Sequence, residues 1–183
     1  KAIKIWLMRQ AGRYLPEYQD IRKKEKDFMK LCFNPDLACK ISLQPIQRFN
    51  FDFIILFSDI LVIPHALGQE VQFKEQLGPI LGELEYKKIN LNLTQNMEKL
   101  AAVFETIKLI KKKNHEKDLI GFCGGPFTVL NYMIERGTSK THKKIIKYIK
   151  TQKEESKQLI ELITDVSIEY LKNQIDSGVD FIK

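Results

Sequence analysis

The sequence predicts an α/β protein that forms the first part of a parallel, eight-stranded (β/α)8 TIM barrel. Three observations lead there. Short apolar runs at Phe53-Ile54-Ile55-Leu56-Phe57, Leu119-Ile120-Gly121-Phe122-Cys123 and Val179-Asp180-Phe181-Ile182 read as strands buried on both faces of a parallel sheet. Segments of helical periodicity separate them, so strand and helix alternate. A complete barrel of this kind takes about 250 residues, whereas the chain has 183 and three good strand candidates. Val179 to Ile182 reaches the last residue without a covering helix. Residues 1–183 are therefore expected to be the N-terminal portion of a single barrel domain.

The elements follow in order. Gly12 and Pro16 limit any helix through the first arginine-rich segment to about one turn, which predicts a shaped loop. Asn34-Pro35 opens the helix before the first strand, with asparagine as N-cap and proline at the first helical position. From Thr94 to about Lys112, Met97, Leu100, Ala101, Phe104 and Ile107 trace an apolar stripe. After Gly124-Gly125-Pro126 a helix runs from Phe127 to Arg136 and stops at Gly137. Two further helices are expected over 140–150 and 153–176, and Gly178 ends the second.

A hydrophobic fraction of 44% is enough for a substantial core, and no linker or internal repeat interrupts the chain. It reads as a soluble globular protein. The longest apolar stretch is broken by Ser58 and Asp59 and is too short to cross a bilayer, and no signal-peptide pattern is read at the N-terminus. The formal charge is +7, but the lysines gather at 108–117 and 140–157 on helical patterns without stacking aromatics. That pattern predicts a solvated surface and neither nucleic acid nor membrane as a partner. Cys32, Cys39 and Cys123 are odd in number and lack metal-ligand spacing, which predicts free thiols in a reducing, cytoplasmic setting. His65, His115 and His142 are scattered and form no ligand motif.

Arginine is the most informative residue type. The chain has five, and Arg9, Arg13 and Arg22 lie within fourteen residues. A guanidinium grips a carboxylate or phosphate through two parallel bonds and stays charged when partly desolvated. The cluster predicts a site for a polyanionic ligand, against the plainer reading of three surface charges. Asp59 ends the first apolar run, at the C-terminal end of a strand, where barrel enzymes build their active sites. A structural partner of backbone amides is the alternative for it. Gly121 to Thr128 leads from strand into helix and is a weak phosphate signature that fits tight packing equally well. Tyr132 in the following helix reads, by itself, as a core or rim aromatic.

Three blocks carry a family resemblance. Met8-Arg9-Gln10-Ala11-Gly12-Arg13-Tyr14-Leu15-Pro16-Glu17-Tyr18 is followed by Phe57-Ser58-Asp59-Ile60-Leu61-Val62 with Pro64 and Ala66-Leu67-Gly68. The third is Gly121-Phe122-Cys123-Gly124-Gly125-Pro126-Phe127-Thr128 with Tyr132-Met133-Ile134-Glu135. Together, and collinearly from about residue 3 to the end, they resemble the uroporphyrinogen decarboxylase family. The resemblance implies a (β/α)8 barrel, usually a homodimer, that removes carbon dioxide from four acetate side chains of a cyclic tetrapyrrole in haem biosynthesis. It implies no metal or organic cofactor.

By motif, Arg9, Arg13 and Arg22 would hold the carboxylate-bearing rim of the substrate, with Arg9 also placed at the reacting acetate. Asp59 would meet the pyrrole N–H groups and Tyr132 would line the cleft. A serine or threonine and a histidine that complete the family's cleft are expected beyond Lys183. Arg136 and Gln76 stand where the family commonly has glycine, which predicts loops of altered shape. The competing readings are a corrinoid-dependent methyltransferase of the same superfamily, which would hold zinc, and a non-enzymatic tetrapyrrole-binding module.

Overall fold

The computed structural model describes residues 3–7, 12–74 and 76–183, which fall into two compact units. The first comprises residues 1–59, 101–122 and 171–183, and the second residues 60–100 and 123–170.

The first unit carries a three-stranded sheet of β1 (Phe53–Ile55), β4 (Asp118–Gly121) and β5 (Phe181–Ile182), in the order β1-β4-β5. Both pairings are parallel, with Phe53 opposite Asp118 and Ile120 opposite Phe181. The expected strands therefore form and lie side by side. The first is shorter than the apolar run that predicts it. Beyond Ile55 the bond from Leu56 N to Ile120 O continues the ladder, while Phe57 N turns to the hydroxyl of Ser42.

Among the described residues, three helices precede the sheet: α1 (Pro16–Lys24), α2 (Phe28–Cys32) and α3 (Pro35–Arg48). Each start is legible locally. Pro16 and Pro35 supply the preset φ of a first turn, Asp27 accepts from the amides of Met29 and Lys30, and Asn34 accepts from Leu37 N. Arg48 binds Glu17 Oε1 through Nε and Nη2 at 3.0 and 2.8 Å, tying the end of α3 to the start of α1. Leu31, Cys39, Ile41, Ile54 and Leu119 fill the core of this unit.

β4 ends against the last part of α8 (Lys153–Asp176). The buried Gln174 accepts from Phe122 N and donates to Phe122 O, at 3.0 and 2.9 Å, so one side chain completes the backbone bonding just past the strand. The approach requires glycine at 121, since a Cβ there would lie 2.3 Å from Gln174 Oε1 and 3.0 Å from Val179 Cγ1. Asp180 accepts from Leu119 N and from Lys111 Nζ, the latter on α5 (Leu93–Lys113).

The second unit holds α4 (Val62–Ala66), an antiparallel hairpin of β2 (Val71–Lys74) and β3 (Gly78–Leu81), α6 (Pro126–Glu135) and α7 (Lys143–Thr151). The hairpin is a finding beyond the sequence reading. Its strands are four residues each, and Pro79 lies within the second, so the pattern is too brief to stand out. Buried Gln69 ties it to α6, donating to the carbonyls of Gly82 and Met133.

Gln76 and Arg136 both lie at strained turns. Both adopt the left-handed conformation, at φ 66° and 65°, so the backbone keeps a glycine-like geometry with a side chain in place. Arg136 offsets part of the strain through a bond from Nε to Leu81 O. Gln76→Gly should therefore raise stability by about 0.5–1 kcal/mol and Arg136→Gly by less, read as a higher midpoint in urea. A lower midpoint for Gln76→Gly would contradict the strain.

Candidate functional site

The first unit brings Arg13, Arg22 and Asp59 into one neighbourhood. Arg9 lies outside the described residues. Arg13 leaves a turn closed by the bond from Leu15 N to Gly12 O, and Gln19 Nε2 donates to its carbonyl. Gly12 is required there: its φ is +71°, and a Cβ would meet Leu15 Cδ1 at 2.7 Å. The Arg13 guanidinium stands 5.1 Å from the centre of the Phe28 ring, and that of Arg22 stands 6.0 Å from it. Phe28 meets Phe57 edge-on at 5.6 Å, and Tyr18 lies 6.1 Å from Phe57. Two residues after Phe57 the chain reaches the half-buried Asp59.

Cys32 reports the field at the centre of this group. Burial pushes its thiol well above the ordinary value, and the Asp59 charge pushes it the same way, while Arg13 and Arg22 work against the rise. A thiol so protonated is a packing group and no nucleophile. Tyr18 is raised by burial and lowered by the same two arginines. Arg22 is partly committed elsewhere, because its Nη1 donates to the carbonyls of Glu25 and Lys26 past the end of α1. Its Nε and Nη2 groups retain donors for a ligand.

Phe28, Phe57, Tyr18 and Cys32 are the supports that sequence reasoning missed. Tyr18 and Phe57 fall within the blocks that carry the family resemblance, but nothing in the spacing pairs Phe28 with Phe57.

Tyr132 belongs to the second unit. It lies on α6, where Thr128, Asn131 and Tyr132 follow helical spacing onto one face. They line an open cleft of about 310 Å³ with Phe127, Ser139 and His142. The glycine turn ahead of α6 works as packing and capping: Gly125 O accepts from Val129 N, and Pro126 at the first helical position removes a donor that an anion would have used. Among the described residues, no three His, Cys, Asp or Glu side chains gather as a metal site. No described helix is long and apolar enough to cross a membrane.

The family model for uroporphyrinogen decarboxylase (URO-D) matches residues 1–183. The chain belongs to this family. Relatives named uroporphyrinogen decarboxylase agree with that assignment. The one from Rickettsia bellii (strain RML369-C) is 46% identical over 181 residues, covering 98% of this chain and 53% of the relative. Those from Chelativorans sp. (strain BNC1) and Rickettsia felis (strain ATCC VR-1525 / URRWXCal2) are 46% and 45% identical, over 98% and 99% of the chain and 53% of each relative. The chain thus spans about half the length of these members of the uroporphyrinogen decarboxylase family. Among solved structures, a methyltransferase from Methanosarcina mazei superposes with a TM-score of 0.67 at 19% identity, over 85% of this chain and 49% of that one. At that identity the likeness speaks for a shared α/β fold alone.

Proposed function

We propose that the full-length protein decarboxylates the four acetate side chains of uroporphyrinogen to give coproporphyrinogen. Residues 1–183 would form the N-terminal part of a single (β/α)8 barrel that works as a cytoplasmic homodimer. The observation that carries this reading is membership of the uroporphyrinogen decarboxylase family over the whole chain, and the gathering of Arg13, Arg22 and Asp59 in one neighbourhood supports it.

The chemistry suits these residue types. Pyrrole N–H groups converge at the centre of the macrocycle, and the Asp59 carboxylate can accept several at once. Protonation of the pyrrole α-carbon next to the carbon that bears an acetate makes a cation, which Asp59 stabilises where the charge develops. The bond to the carboxylate then breaks, carbon dioxide leaves, and its electron pair returns to the ring. Protonation of the exocyclic carbon and loss of the ring proton leave a methyl group, so one proton replaces one carbon dioxide. Arg9, Arg13 and Arg22 hold the carboxylates of the rim, Arg9 at the reacting acetate, where its very high pKa favours orientation over proton transfer. Tyr132 lines the cleft.

No metal or organic cofactor enters this scheme. Full-length protein dialysed against a strong chelator should convert uroporphyrinogen to coproporphyrinogen at an undiminished rate under anaerobic conditions. Loss of turnover restored by zinc would favour the methyltransferase-like alternative, and absence of product from the untreated protein would overturn the proposal.

A further inference from the structure

The segment ahead of the arginine block is fastened to the sheet of the first unit. An aspartate stands at the head of each strand: Asp52 directly precedes β1, Asp118 opens β4 and Asp180 directly precedes β5. The parallel register gathers them at one end of the sheet, because Phe53 lies opposite Asp118 and Ile120 opposite Phe181. Asp180 is engaged by Leu119 N and Lys111 Nζ at 2.7 and 2.8 Å. Residues 4 and 5 engage the other two. The Lys4 ammonium pairs with Asp118 and stands 5.8 Å from the centre of the Phe53 ring, while Ile5 N donates to Asp52 Oδ2 at 2.8 Å. Just past β5, Lys183 holds its ammonium 4.0 Å from the centre of the Trp6 ring.

These contacts run against the hydrophobic pattern. Ile3, Ile5 and Leu7 are 87%, 58% and 50% exposed, whereas the side chains of Lys4 and Trp6 touch the sheet residues. In an alternating segment a shift of one residue exchanges the two sets, so apolar burial alone would select the opposite side. Charge selects this one. The bond to Asp118 raises the pKa of Lys4 above its ordinary value against some desolvation, and the charges of Asp118, Asp52 and Asp180 add to the rise. Without a cation the aspartates would face one another as like charges on neighbouring strands.

The consequence falls on the residues that follow. Arg9 comes two residues after Leu7 and three before Gly12, and Gly12 is closely packed by Leu15 and Pro45. Two residues of chain reach about 7 Å at most, so a held Leu7 confines Arg9 from upstream as Gly12 does from downstream. A segment fastened at Gly12 alone samples more conformations, and a ligand that needs one of them meets a smaller competent population.

We infer that Lys4 is a positioning residue for the arginine segment: by pairing with Asp118 it anchors residues 3–7 on the sheet and so confines Arg9. The inference deepens the proposed function and rests on that reading for the ligand that Arg9 meets.

The test uses full-length protein with Lys4→Glu, Lys4→Arg, Ile5→Ser and the charge-swapped pair Lys4→Glu with Asp118→Lys. Hydrogen exchange at the amides of Ile5 and Trp6 reads the anchor directly, and Lys4→Glu should accelerate it about two- to fivefold, the scale of an exposed ion pair. KM for uroporphyrinogen, and the dissociation constant for its oxidised form uroporphyrin, should rise by a similar factor with kcat within about twofold. Lys4→Arg should match the parent, the charge-swapped pair should recover most of the loss, and Ile5→Ser should leave both binding measures alone. Unchanged exchange in Lys4→Glu would overturn the anchor. Faster exchange with unaltered KM and uroporphyrin affinity would overturn the positioning role, as would a larger effect from Ile5→Ser than from Lys4→Glu, which would set the other side of the segment against the sheet. If the parent gives no product, the decarboxylase reading falls by itself, and exchange together with uroporphyrin titration decides the positioning role; a parent that also fails to bind uroporphyrin overturns both.

Discussion

Asp59→Ala in the full-length protein should lower the rate of uroporphyrinogen decarboxylation by about two to three orders of magnitude, the usual loss when a preorganised charge is removed from a developing one. The half-buried carboxylate shares its neighbourhood with Arg13 and Arg22 and would also meet the charge of the protonated pyrrole, so its removal should lower kcat. Folding stability should fall far less than decarboxylation does. Asp59→Asn should behave almost as badly as alanine, since it keeps the shape and loses the charge. Turnover within a few-fold of the parent in both variants, with unaltered melting, would remove Asp59 from the mechanism.

The second large effect concerns stability. Gly121→Ala should destabilise the protein by about 2–4 kcal/mol, seen as a lower denaturant midpoint at unchanged slope. The new methyl carbon would sit 2.3 Å from Gln174 Oε1. That oxygen is the far end of a flexible residue, yet it cannot swing aside without leaving Phe122 N and O unpaired in a half-buried place. Val179 and Ile182 close the other directions at 3.0 and 3.2 Å. Gln174→Leu tests the same contact from its partner: it removes both bonds and should cost a comparable amount. A Gly121→Ala protein as stable as the parent would mean that the end of α8 yields more readily than its hydrogen bonds imply.

Much of this architecture was legible because its signals are local. Pro35 behind Asn34, the stripe from Thr94 to Lys112 and the apolar runs at 53–57 and 119–123 each state their structure within a few residues, and helices and parallel strands stand there. The strand at 53–57 stops early because Ser42, fifteen residues upstream, captures the amide of Phe57, a competition invisible in the apolar pattern. The hairpin at 71–81 was missed because four-residue strands around a short turn carry too little alternation to outweigh Gly78-Pro79. At the site, Arg13 and Asp59 announce themselves by residue type. The aromatic support of Phe28 and Phe57 depends on chain crossings that no spacing encodes.

The strand order also sets a timetable for folding. Lys74 meets Gly78 across a single tight turn, whereas Phe53 must find Asp118, and Ile120 must find Phe181, across about sixty residues of intervening chain. Closing such loops consumes entropy before any contact compensates it. The hairpin and helices can assemble in microseconds, but the sheet that presents Asp59 must wait for both long excursions to close. During that interval Ile54, Leu119 and Ile120 are uncovered, and the nascent chain depends on slow, nonlocal encounters at the stage when it is most adhesive.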